Sequence, residues 1–154
     1  MRSGRRQFII IEAESTSGAK KVLECASSAK STFQLFDPSS LFSKEHLVLA
    51  YENAAAAFKN RTNRSRSIST EMLLFASAQR QISEAIRLSG AKDGSRFIIF
   101  TDSKAALDTV AHLLSHIKPV GKKEYGGRAA IKRLGLKGAD LADLAQAMAI
   151  SGMQ

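Results

Sequence analysis

Arg96-Phe97-Ile98-Ile99-Phe100-Thr101 runs directly into Asp102-Ser103-Lys104-Ala105-Ala106, and this junction decides the fold class. The first six residues are dominated by β-branched and aromatic side chains without a helical period, which is the pattern of a buried strand. Asp102 or Ser103 then caps a helix whose apolar stripe is Ala106, Val110, Leu113, Leu114 and Ile117, with Pro119 after its end. The same alternation is found upstream. Phe8-Ile9-Ile10-Ile11 reads as a strand, Ser17-Gly18 opens a helix to about Lys30, and Gln34-Leu35-Phe36-Asp37 is a strand stopped by Pro38. Ser43 caps a helix that places Leu47, Tyr51, Ala54 and Phe58 on one face. Ser69-Thr70-Glu71 begins another helix, and one from about Gln79 turns Ile82, Ala85, Ile86 and Ser89 inward until Gly90 ends it. Arg128 to Leu134 is a short helix, and Leu141, Leu144, Ala145 and Met148 stripe a final one. Strands alternating with helices make this an α/β chain, expected as a single domain over residues 1–154 with a small mixed β-sheet packed by several helices.

Composition supports that reading. A chain of 154 residues with 44% apolar and 24% charged side chains has the make-up of a globular domain rather than of a disordered one. The single cysteine, Cys25, has no partner for an internal bridge, which excludes a disulfide-stapled secreted scaffold and favours a reducing compartment. No apolar run approaches bilayer thickness and no leader is recognised, so a cytoplasmic location without membrane insertion is expected.

The net charge of +9 points to a polyanionic partner. No acid occurs from Asn53 to Thr70, while Lys59, Arg61, Arg64 and Arg66 fall within eight positions on a stretch, Arg61 to Ser67, that lacks apolar residues and reads as an exposed loop. A second basic stretch from Lys118 to Lys137 contains one acid, Glu124. The sixteen residues after Gly138 hold Asp140 and Asp143 and no base.

Constellations that would carry catalysis fail on inspection. His112 and His116 have i, i+4 spacing on one expected helix, yet no third metal ligand follows at a readable distance. Gly121 and Gly126 have a P-loop gap, but Gly127-Arg128 stand where Lys and Ser or Thr are required. Cys25 has no nucleophile motif around it. No catalytic residue, metal site or cofactor site is assigned. Gly135-Leu136-Lys137-Gly138, between two helical stretches, resembles the backbone-clamping GxxG loop of KH domains, which leaves a stand-alone RNA-binding module as the alternative function.

The segment from Arg64 to Phe100 is more specific. Ser69-Thr70-Glu71 with the aliphatic run after it, Ser77, Gln79-Arg80-Gln81-Ile82, Glu84-Ala85-Ile86 and Gly90-Ala91-Lys92-Asp93-Gly94 resemble the small regulatory subunit of KEOPS complexes. This is the CGI family, to which the PRPK-binding protein belongs, and the strong match covers about a quarter of the chain. The resemblance implies a non-enzymatic subunit of the machinery that installs threonylcarbamoyladenosine on tRNA. It implies as partners the kinase-like ATPase subunit, which the small subunit binds and stimulates, and tRNA, captured by its single-stranded 3′ CCA end.

The residues suit that task. Lys59, Arg61, Arg64, Arg66, Arg80 and Lys92 neutralise phosphates, and Gln79 and Gln81 offer hydrogen bonds to unpaired bases. Ser69 adds a neutral donor at a helix start. For the kinase, the base-free terminal helix with Leu141, Leu144 and Met148 is the candidate docking stripe, and the same stripe equally suits closure of the protein's own core.

Overall fold

Strands β1 (Ile9–Glu14), β2 (Phe33–Phe36), β3 (Phe97–Thr101) and β4 (Ser115–Pro119) form one sheet in the order β2-β3-β1-β4, in a computed structural model that describes residues 7–27, 31–94 and 96–152. Every pairing is antiparallel: Ile11 stands opposite Ile99, Leu35 opposite Ile99 from the other side, and Glu12 opposite Lys118. The sheet is therefore antiparallel, not mixed as the alternation suggested. Each crossover, β1 to β2 and β3 to β4, does return the chain parallel to itself, but a strand of the other unit is inserted between.

Period-two alternation then divides the strand side chains between two layers. Ala13, Phe33, Leu35, Phe97 and Ile99 pack beneath α1 (Ala19–Ala26) and α5 (Lys104–Val110) through Val22, Ala106 and Val110. Phe36, Ile98 and Phe100 face the opposite layer of α2 (Lys44–Lys59), α3 (Ile68–Ser77), α4 (Ile82–Ser89) and α7 (Leu141–Ser151). With both faces covered, β3 is buried at all five residues, which explains its unbroken apolar run. The expected extension of α1 to Lys30 falls on residues 28–30, outside those described.

The segment after Val110 departs from expectation. The helix stops there, passes through a 3₁₀ turn at Ala111–Leu113, and becomes edge strand β4, whose five residues are all exposed. Ile117 is thus half exposed on a strand, and His112 and His116 do not share a helix face. His116 has φ +53° where the register against Glu12 and Glu14 slips. A bulge, Lys118 and Pro119 are what an unpaired edge needs to resist further pairing, and those residues carry no helix-breaking glycine to read.

Helix α3 is buried from Glu71 to Ser77 on every side, as a helix held between others must be. Its cap is Ser67, whose Oγ accepts from Thr70 N–H at 3.1 Å, two residues earlier than Ser69. Helix α4 lies on it through small residues. Ala85 and Ser89 are buried, whereas Ile82 and Ile86, expected inward, are 39% and 50% exposed. Small side chains at i, i+4 allow close helix approach and turn the larger isoleucines outward. α6 (Arg128–Arg133) and α7 close a third cluster of Ile131, Leu134 and Leu144, with Leu88, Leu136 and Leu141 half-buried around it.

Candidate nucleic-acid interface

The loop between α2 and α3 is organised around one buried acid. Glu71 in the first turn of α3 has no exposed surface. Its carboxylate accepts from Arg64 N–H at 3.0 Å, Ser65 N–H at 2.9 Å and Ser65 Oγ at 2.7 Å, and pairs with Arg64 Nε at 3.4 Å. A carboxylate is tolerated out of water only when hydrogen-bonded and paired in this way. Arg64 extends the arrangement, donating from Nη1 to Gln79 O at 3.2 Å and Ser151 O at 3.0 Å, with its guanidinium 5.0 Å from the centre of the Phe75 ring. Arg64, read from sequence as an exposed phosphate contact, is therefore mostly buried. It ties loop 60–67 to the α3–α4 turn and to the end of α7.

That tie assembles a rim. Lys59, Arg61 and Arg66 are exposed on the loop side, and Arg80 and Gln81 are exposed on the turn that Arg64 holds. None of the four cations forms an ion pair with another described residue. Two left-handed residues shape the rim, Arg61 at φ +59° ending α2 and Ala78 at φ +54° ending α3. Gln79 is half-buried, and its amide donates to Ser77 O at 3.3 Å. Ile82, absent from the sequence-based site, follows Gln81 as an exposed aliphatic surface. The buried pair Ala85 and Ser89 was the signal that would have revealed it.

The remaining predicted residues have structural tasks. Ser69 Oγ accepts from Phe33 N–H at 3.0 Å and Ser69 O accepts from Gln34 Nε2 at 2.9 Å, so α3 covers the outer edge of β2. Lys92 donates to Arg87 O and Gly90 O, both at 2.8 Å, satisfying carbonyls at the end of α4. Burial holds its ammonium below the usual lysine range, partly offset by Asp37. The next residue, Asp93, accepts from Ala19 N–H at 3.0 Å and caps α1 from across the chain, where Gly18 has φ +90°. Leu144 and Met148 of α7 are buried in the protein's own clusters and Leu141 is half-buried, so this stripe closes the core rather than facing a partner.

The GxxG segment is likewise accounted for locally. Gly138 has φ +117°, and a Cβ there would run into the Asp143 side chain. Asp143 accepts from Ala139 N–H at 2.8 Å while Asp140 caps α7 by accepting from Asp143 N–H at 3.0 Å. The first of these bonds holds the Asp143 carboxyl below its usual range. Two acids thus stand at the loop where a phosphate clamp would need free N–H groups.

The model of the family described as kinase binding protein CGI-121 matches residues 13–134. The chain belongs to this family. No curated protein matches the chain. The CGI-121 match runs from the end of β1 through α6 and takes in both the Glu71 arrangement and the Lys92-Asp93 loop. As a CGI-121 member the chain falls among kinase-binding proteins, and no helix of its described residues is long and apolar enough to cross a membrane.

Proposed function

We propose that this chain is a non-catalytic subunit of the KEOPS tRNA threonylcarbamoyladenosine complex, which binds the kinase-like ATPase subunit and captures tRNA through its 3′ CCA end. The observation that carries the reading is the rim of cations without an ion pair among the described residues, Lys59, Arg61, Arg66 and Arg80, assembled beside Gln81 by the mostly buried Arg64 in a chain of the CGI-121 family. Phosphates of an unpaired strand neutralise the cations, Gln81 offers an amide to a base edge, and Ile82 offers an aliphatic platform where the chain has no tryptophan. With Leu144 and Met148 turned inward, α7 offers the kinase its outer side, where Gln146 and Ile150 are exposed. Binding of an intact tRNA and of the same tRNA lacking its 3′ CCA, each at two salt concentrations, tests the reading. Truncation is expected to lower affinity about tenfold or more, the loss of several contacts each worth ~1 kcal/mol. Equal affinity for both molecules would reject end capture. Ile150→Arg is expected to weaken kinase binding without changing tRNA affinity, and unchanged kinase affinity would remove α7 as the contact.

A further inference from the structure

A second feature lies at the other end of α2. Phe42, Lys44 and Glu45 face Val120, Lys122 and Tyr125 across a cavity of about 350 Å3. A helix of 16 residues spans ~24 Å, so this cavity is separate from the Arg61–Arg80 rim. Both of its walls are fixed from behind. Phe42 N–H donates to Nδ1 of the buried His46 at 2.9 Å, and the same ring donates from Nε2 to Ala76 O at 2.8 Å. Opposite, Gly126 N–H donates to Leu41 O at 2.8 Å, and Val120 and Tyr125 pack on the main core. A preformed cavity of this size is within the range used for small ligands and needs little ordering on binding.

The lining specifies what fits. Two aromatic rings and a valine favour a flat apolar body. Lys44 and Lys122 are exposed and form no ion pair with another described residue, so they attract an anion. Glu45 is the selective element: a carboxylate accepts hydrogen bonds and donates none, so it repels a second anionic group and requires N–H donors instead. Burial and the nearby Glu45 push the Tyr125 hydroxyl up to about 12, which keeps it a donor at neutral pH. Cations for an anion, aromatic faces for a flat ring and a carboxylate for an N–H donor are the complement of a nucleotide whose base carries an exocyclic amine.

We propose that this cavity binds a nucleoside monophosphate group, its base against Phe42 and Tyr125 with an amine on Glu45 and its phosphate at Lys44 and Lys122. The group comes either from a free nucleotide or from an unstacked nucleotide of an RNA strand. This site does not depend on the 3′-end reading above.

The test is calorimetric titration of the full chain with AMP, CMP, UMP and inorganic phosphate, with amide NMR shifts to locate the site. AMP and CMP are expected to shift residues 42–45 and 120–125, UMP to bind about fivefold more weakly, and Lys122→Glu to lower AMP affinity about tenfold. Glu45→Gln is expected to reduce the preference for AMP and CMP over UMP. Lys104→Glu, at the exposed start of α5 on the opposite face of the sheet, is expected to leave AMP binding unchanged. Tighter binding of a short oligoadenylate than of AMP, lost in Lys122→Glu, would assign the RNA source; equal affinity would assign the free nucleotide. Absent shifts at these residues, phosphate binding as tightly as AMP, or unaltered affinity in Lys122→Glu would each overturn the site.

Discussion

Two helix-joining loops of this chain place their carboxylates in opposite ways. Beneath loop 60–67, Glu71 is wholly buried and consumes Arg64 and the Ser65 hydroxyl, leaving Lys59, Arg61 and Arg66 facing water. At the loop joining α6 to α7, Asp140 and Asp143 sit near the surface and occupy the backbone donors themselves. Basic residues beside the two loops therefore meet different surroundings. What decides whether a cationic loop is free to meet a polyanion is whether its counter-carboxylate is kept inside or outside.

Removing the inner carboxylate should have the largest effect. Glu71→Ala is expected to cost ~3–5 kcal/mol, because it leaves the partly buried Arg64 charge and two backbone donors without their acceptor. Chemical denaturation measures this directly, and a loss below ~1 kcal/mol would mean that the loop is not organised from beneath.

Acid provides the second probe, since α3 is held at its other end by His46. The folded ring has its pKa lowered to about 4, chiefly by burial, against 6.5 when unfolded. Between those values only the unfolded chain takes up the proton, so stability is complete above pH 6.5 and falls by about 3 kcal/mol as pH drops to 4. His46→Gln should flatten that portion of the stability curve; a wild-type curve already flat there would contradict the buried neutral ring.

The outer loop should respond more weakly. Gly138→Ala is expected to cost about 1–2 kcal/mol from its left-handed φ and the approach of Asp143, with tRNA affinity unaffected. Reduced affinity in a folded variant would move the nucleic-acid surface to this loop. The smallest stability change belongs to the exposed rim. Arg66→Glu and Arg80→Glu are expected to shift unfolding by less than ~0.5 kcal/mol. Each should nevertheless weaken tRNA binding about tenfold and reduce the salt slope by about 1. Unaltered affinity in both would detach the rim from tRNA.

These contrasts also show what could be read without coordinates. β3, the capped α2 and the apolar α7 stripe were legible because burial imposes a period on side chains and caps impose a residue type. β4 was not, since an edge strand that is exposed throughout has no buried face to leave a pattern, and Leu113-Leu114 continue a helical stripe by coincidence. The basic loop was legible as charge, but Arg64 and Arg66 are indistinguishable in composition. Only the fold brings Glu71 under one of them. Ile82 and Ile86 misled for the converse reason: in an eight-residue helix the inward side was set by Ala85 and Ser89, whose size rather than polarity decided the packing.

Lys92 and Asp93 are adjacent in the chain, yet the first holds the end of α4 on one side of the sheet and the second holds the start of α1 on the other. Release of this loop frays two helices that share no layer. In hydrogen-exchange terms, amides at the end of α4 and the start of α1 should open together as one cooperative unit, coupling the protein's two layers through neighbouring peptide groups.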